Sequence, residues 1–281
     1  MALTTNNSTS FADPEGFQEA ANLLADTERI TVLTGAGVST DSGIPDFRGP
    51  QGLWTTNPGA QALSDIDTYM GDVNVRREVW LRRRADQARK AEPNVAHRAF
   101  AALHLTDRLH ALITQNIDGL HQKGGVPDDK VIEVHGTTLR VMCMACGLRT
   151  PSAVVLDRLD EESDPRCVEC GGIQKSDTIS FGQRLDPEVI ESAAQAAREC
   201  DVFLAVGTSL TVHPVAGLCD VAMMSGARLI TINAEPTPYD DFATVALHDP
   251  IGQVVPALVK KIPKSGHGIF HGGRSRPDDW V

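Results

Sequence analysis

The sequence predicts an α/β protein built on a doubly wound parallel sheet with a smaller lobe beside it. Three observations carry that expectation: short apolar runs recur along the chain, helix-forming stretches separate them, and two segments of different composition interrupt the alternation. The runs lie at residues 30–33, 111–114, 131–134, 202–206, 229–232 and 244–247. Each is short and apolar enough for a parallel strand buried on both faces. Helices are expected at 15–25, where Asp13-Pro14 supplies a cap and a first-turn proline, and at 94–105, 187–199, 215–224 and 254–260. Strands that alternate with helices join through right-handed crossovers, giving a Rossmann-like sheet.

The interruptions are residues 38 to about 91, a Gly/Pro-rich loop followed by the basic stretch Arg82-Arg83-Arg84, and residues 141–175, which hold paired cysteines. The expected organisation is one domain over 1–281. Its Rossmann-like lobe spans about 13–50, 92–140 and 176–262, and its small lobe, a zinc ribbon with helices, spans about 51–91 and 141–175. The Gly-rich, polar tail 263–281 is expected to be flexible.

Composition narrows the function classes. The 281 residues are 41% hydrophobic and 22% charged, which excludes a disordered chain or a coiled coil. A net charge of −11 argues against a nucleic-acid groove, so no direct nucleic-acid partner is expected. The first sixteen residues carry neither a basic start nor an apolar core, so no secretory signal is expected. The longest uncharged run, 202–219, contains Gly207, Thr208, Ser209, His213 and Pro214, unlike a membrane span. A cytoplasmic protein without a membrane partner is the expectation.

Four of the six cysteines form two CxxC pairs, Cys143/Cys146 and Cys167/Cys170, with 20 residues between the pairs. Each CxxC turn presents two sulfurs on one side, and two such turns close a tetrahedron around Zn²⁺. Disulfides suit an oxidising compartment, and a redox pair does not require two matched turns. With four protein ligands no position stays open for water, so the expected zinc is structural. Cys200 and Cys219 stand in apolar context and are expected to be buried, inert thiols.

The run Thr34-Gly35-Ala36-Gly37 follows the first strand, where a nucleotide phosphate can approach the backbone; a tight structural turn is the alternative. The dinucleotide fingerprint of dehydrogenases is incomplete. Its third glycine falls at Thr40, and residues 51–64 hold no Asp or Glu to bind a ribose. Asn233-Ala234-Glu235 and Gly207-Thr208-Ser209 end two other expected strands on the same sheet edge. A hydride-transferring dehydrogenase therefore fits badly, and a protein holding NAD in another pose fits well.

The motif GAGVSTDSGIPDFR at 35–48 is longer than a glycine turn needs. Together with TQNIDGLH at 114–121, EVHG at 133–136, the four cysteines, GTSL at 207–210 and INAE at 232–235, all in this order, the chain resembles the sirtuins, NAD-dependent protein lysine deacylases. The resemblance runs over roughly residues 15–262. It implies catalytic roles for His135 as general base and for Asn116 and Asp118. It further implies that Gly35, Ala36, Gly37, Thr40, Asp46, Phe47, Arg48, Gln115, Asn116, Ile117, Asp118, Gly207, Thr208, Ser209, Asn233, Ala234, Glu235 and Ile251 contact NAD. Ser180, Phe181, Gly182 and Gln183, with Leu210 and Val212, match the segments that take the acetylated peptide by strand addition. Cys143, Cys146, Cys167 and Cys170 match the family's zinc ligands.

The implied reaction consumes NAD as co-substrate. The acyl carbonyl oxygen attacks C1′ of the nicotinamide ribose, nicotinamide leaves, and a base-assisted 2′-hydroxyl then captures the acyl group. The products are free lysine, nicotinamide and O-acetyl-ADP-ribose. Protein mono-ADP-ribosyl transfer and a non-catalytic NAD- or ADP-ribose-binding module remain as alternatives. Succinyl- and malonyl-preferring sirtuins carry a Tyr-x-x-Arg pair shortly after a Val-Trp, whereas Val79-Trp80 here is followed by Leu81 and three arginines. Arg82 to Arg84 are expected to form a solvated helix face.

Overall fold

The structure is a computed structural model that describes residues 11–47, 49, 52–56, 64–86 and 90–264. Helix α1 (Pro14–Ala25) opens on Asp13, whose carboxylate accepts the Gly16 N–H, and leads into strand β1 (Ile30–Thr34). A 3₁₀ segment, Ala36–Ser42, follows β1 directly. Helices α2 (Leu53–Thr56), α3 (Ile66–Gly71) and α4 (Val73–Ala85) come next, then α5 (Val95–His104), β2 (Leu109–Thr114) and α6 (Leu120–Lys123). Strands β3 (Val131–Glu133), β4 (Gly136–Cys143) and β5 (Arg149–Pro151) precede α7 (Ser152–Asp157) and β6 (Gln174–Thr178). The chain continues through α8 (Pro187–Glu199), β7 (Val202–Val206), α9 (Leu218–Met224), β8 (Arg228–Ile232), β9 (Val245–Leu247) and α10 (Ile251–Val259).

Six strands form one parallel sheet in the order β3-β2-β1-β7-β8-β9. Every residue of β1 and β7 is buried, because helices cover both faces. Alternate side chains therefore serve two cores. Ile30 and Val32 join α1, α5 and α10 on one face, and Leu33 joins α8 and α9 on the other. Phe100 on the first face and Phe203 on the second are fully buried, each contributing roughly 1.5–3 kcal/mol. The order reverses between β1 and β7, so their C-terminal ends flank the crevice where ligands bind in such sheets.

The second sheet is antiparallel, in the order β5-β4-β6, and packs on α4 and α7 through Trp80, Val141, Val155, Leu156 and Leu159. A buried ion pair ties this lobe together. Arg76 on α4 donates Nε to Asp164 at 3.0 Å and Nη1 to the carbonyls of Tyr69 and Met70. Asp164 lies three residues before Cys167. The Asp164 carboxylate thus links the cysteine segment to α3 and α4.

The structure departs from expectation at Arg83. Arg82 and Arg84 are solvated and pair with Glu78 and Asp160, as a polar helix face would. Arg83 is half-buried, 3.7 Å from Asp86. The helix turns it toward the small sheet, where its charge lies close enough to lower the Lys175 pKa, after burial has done most of that. Arg48 and the tail beyond residue 264 lie outside the described residues.

Candidate active site

The end of β1 meets the end of β7 at backbone distance. Gly37 N–H donates to the Gly207 carbonyl at 2.9 Å, and Gly35 N–H donates to Val206. A Cβ on Gly35 would stand 2.6 Å from the Gly207 carbonyl oxygen, and one on Gly207 would stand 2.5 Å from Val38 N. Gly207 also has φ +63°, a conformation that favours glycine. These glycines let two strand-end loops interlock, and the interlock uses the amides of Gly35, Gly37 and Gly207 within the protein.

The loop after β2 brings the polar groups together. Gln115 donates Nε2 to Thr208 Oγ1 at 2.9 Å, crossing from β2 to the β7 loop. Asn116 is buried and donates Nδ2 to the Gly35 carbonyl and to Ser39 Oγ, both at 3.1 Å. Ser39 in turn donates to Asp118 Oδ2 at 2.8 Å, while Asp118 Oδ1 accepts the Leu120 N–H. The Asp118 carboxylate is thus held as an acceptor on both oxygens. Thr138 fixes the Ile117 carbonyl by donating its N–H and its hydroxyl to it.

His135 follows β3 and stands against the same loop. Its Nδ1 lies 3.0 Å from the Gln115 carbonyl, which can only accept, so Nδ1 carries the proton and Nε2 presents a lone pair. Burial lowers its pKa below the ordinary histidine value, opposed by the hydrogen bond to Gln115. The ring is therefore neutral at pH 7, as a general base requires. Gly136, next in sequence, has φ +71° and lies so near the Asp177 carbonyl that a Cβ would stand 2.1 Å from it. That contact lets β4 start directly after the histidine.

The four CxxC sulfurs all lie within 4.8 Å of one another, with Cys143–Cys170 at 3.5 Å and Cys146–Cys167 at 3.8 Å. A tetrahedral Zn²⁺ with Zn–S bonds of ~2.3 Å needs sulfurs about 3.8 Å apart, so the residues fit the ion. The backbone N–H of Cys146 pulls the Cys143 thiol down to about 6. At Cys170 the Gly172 N–H favours the thiolate, yet its Cys146 and Cys143 neighbours push the thiol up to about 12.

Comparison with known proteins agrees with this geometry. The sequence model of the Sir2 family matches residues 35–214. The chain belongs to the Sir2 family. It is 52% identical over 232 residues to NAD-dependent protein deacetylase 2 of Streptomyces coelicolor, covering 82% of this chain and 96% of that one. It is also 40% identical over 257 residues to an NAD-dependent protein deacetylase of Haloarcula marismortui, covering 89% and 96%. Among solved structures, a Sir2 with a p53 peptide and NAD⁺ aligns with TM-score 0.78 at 31% identity, covering 87% of this chain and 98% of that one.

Within this sirtuin the other expected site residues divide into groups. Thr40 turns its hydroxyl onto the Gly37 carbonyl, and Asp46 accepts the Gly49 N–H within its own loop. Phe47 is exposed. Asn233 follows β8 beside Gly207, whose N–H donates to Ile232, and its Nδ2 donates to the Glu235 carbonyl. Ala234 and Glu235 are exposed. Ile251 opens α10, which packs against the 3₁₀ segment that follows β1. Ser209 shares a hydrogen bond with Thr211, and buried Leu210 has φ +52°.

The expected peptide segment is a turn. Gln183 N–H donates to the Ser180 carbonyl, and Gly182 at φ +80° closes it. The Phe181 backbone is already engaged: its N–H donates to Ser64, and its carbonyl accepts the Ile66 N–H. The segment is thus held by the start of α3. Ser39 was missed at the sequence level although it sits inside the GAG motif. Only the contacts to Asn116 and Asp118 reveal it.

Proposed function

We infer that this sirtuin removes acetyl groups from protein lysines at the expense of NAD, releasing nicotinamide and O-acetyl-ADP-ribose, with His135 as its base. The observation that carries the reading is the Gln115–His135 hydrogen bond, which fixes the tautomer that leaves the Nε2 lone pair as the acceptor. NAD supplies an activated ribose carbon when bound. The protein supplies position and a proton acceptor. In this reading the segments 35–37 and 207–209 line the phosphates, while Asn233, Ala234 and Glu235 face the adenosine. Asn116 and Asp118 hold the nicotinamide ribose and carboxamide, and Phe47 with Arg48 covers them. The two lobes act as one catalytic domain, with the four cysteines holding a structural zinc. No described helix is long and apolar enough to cross a membrane; a cytoplasmic location accords with that and with the net charge of −11.

The assignment sets a pH dependence. Neutral His135 is the active form, and its pKa lies below the ordinary value near 6.5. The kcat/KM for deacetylation is expected to be flat through pH 7 and to fall as pH drops through that lowered pKa. A pH–rate profile on an acetyl-lysine peptide checks this; an acid limb above pH ~6.5 contradicts it.

Acyl selectivity follows from the small lobe. Tyr69 is buried with its hydroxyl donated to the Gln174 carbonyl, and Tyr239 donates to Asp220, so neither is free to pair with an acyl carboxylate. Burying an unpaired carboxylate costs several kcal/mol. On one peptide, kcat/KM is expected to be higher for acetyl- and butyryl-lysine than for succinyl-lysine. Succinyl as the best of the three would place Arg83 in the acyl pocket.

A further inference from the structure

The TQNIDGLH loop carries Gln115, Asn116 and Asp118, and both of its ends fasten to one hydroxyl. Thr34 Oγ1, at the last position of β1, donates to Thr114 Oγ1 at 2.9 Å and lies 2.9 Å from His121 Nε2. All three side chains are at least 98% buried: Thr34 is 0% exposed, Thr114 2% and His121 1%. A hydroxyl has one proton, and Thr34 gives it to Thr114. The His121 Nε2 must then bring its own, so His121 is the Nε2–H tautomer and donates to Thr34. Burial and the neighbouring His97, its ring centroid 4.9 Å away, keep His121 neutral by holding its pKa well below the ordinary value.

The consequences reach the site through backbone bonds. Thr114 Oγ1 accepts the Asn116 N–H at 3.1 Å, and the Thr34 carbonyl accepts the Gln115 N–H at 3.0 Å. The Thr34 hydroxyl thus fastens both ends of the 114–121 segment from beneath, while Thr208, Ser39 and Thr138 hold Gln115, Asp118 and Ile117 from the sides. Catalytic groups gain most from positions held by groups behind them, and small displacements cost large factors in rate.

We propose that Thr34 and His121 are positioning residues: the Thr34 hydroxyl is a clasp that closes the 114–121 loop into the shape that binds the nicotinamide end of NAD. The proposal rests on the assignment of Asn116 and Asp118 to that end. Thr34→Val keeps the size and branching but removes the hydroxyl. It is expected to raise the KM for NAD about tenfold and to weaken inhibition by free nicotinamide in parallel, with the peptide KM changed less than about twofold. Thr34→Ser restores both. His121→Gln, whose amide nitrogen reaches the Nε2 position, is expected to behave like Thr34→Ser; His121→Asn, which reaches only Nδ1, is expected to behave like Thr34→Val.

The experiment is steady-state deacetylation with NAD and peptide varied separately, on wild type, these four variants and Asn116→Ala, with thermal melts alongside. An unchanged NAD KM in folded Thr34→Val overturns the clasp, as does an equal rise in both KM values, which marks a merely structural role. If Asn116→Ala impairs NAD use while Thr34→Val does not, the clasp fails and the site assignment stands. If Asn116→Ala changes nothing, that assignment fails and the clasp with it. Should Thr34→Val not fold, the His121 pair decides: a Gln variant no better than Asn overturns the proposal.

Discussion

His135→Ala is expected to lose deacetylation by ~10²–10⁴-fold while the protein stays folded. The argument is local. The imidazole hangs from one hydrogen bond, to the Gln115 carbonyl, so truncation removes about 1 kcal/mol of net bonding. The backbone around it is held independently, since Val134 N–H donates to Thr114 and the His135 carbonyl accepts the Ile179 N–H. The proton acceptor disappears and the frame remains. Rate measurements on an acetyl-lysine peptide, paired with a melting curve, check this. Near-normal turnover in a folded variant would remove His135 from the base role.

Loss of the zinc site is expected to act more broadly. The small core consists of Trp80, Val141, Val155, Leu156 and Leu159, worth roughly 10 kcal/mol at ~2 kcal/mol each. A four-thiolate zinc contributes about 10–16 kcal/mol in small zinc-dependent peptides, a term as large as that whole core. Cys167→Ala should therefore disorder the lobe, and the damage has a route to the substrate. The chain from Asp164 to Cys167 anchors Arg76, Arg76 holds the Tyr69 and Met70 carbonyls of α3, and Ile66 at the start of α3 pairs with Phe181. We expect one zinc per wild-type chain by elemental analysis, and in Cys167→Ala a lowered melting temperature and strongly reduced deacetylation. A zinc-free wild type, or a Cys167→Ala protein with unchanged melting and turnover, would contradict this.

The large sheet was legible in the sequence for a physical reason. Strands buried on both faces are apolar at most positions, Val202–Val206 at all five, and over so short a run that pattern points to little else. Their ends were legible because glycines and polar residues follow immediately. The CxxC pairs were legible because a metal constrains spacing, and Cys200 and Cys219 are buried thiols raised to about 11 and about 12 by burial, as apolar neighbours suggested.

What stayed hidden depends on contacts between distant segments. Arg76 looks like any helical arginine until Asp164 meets it 88 residues later. Arg83 was grouped with two solvated neighbours, yet helical geometry turns it alone toward the small sheet. Neither His121 nor His97 was given a role from the sequence. Nothing local marks His121 as buried beneath the site, because its partner Thr34 belongs to another element; His97 bonds its own helix cap, Asn94, and only the fold brings its ring against His121. The residues assigned to catalysis were chosen through motif order, and motif order says nothing of what holds them from behind.

The most direct test of the account is a product balance. The protein is incubated with NAD and an acetyl-lysine peptide, and all products are quantified by mass spectrometry. The account predicts deacetylated peptide, nicotinamide and O-acetyl-ADP-ribose in equal amounts. A peptide or protein carrying ADP-ribose, with the acetyl group still on lysine, would contradict it, and so would acetyl loss without consumption of NAD.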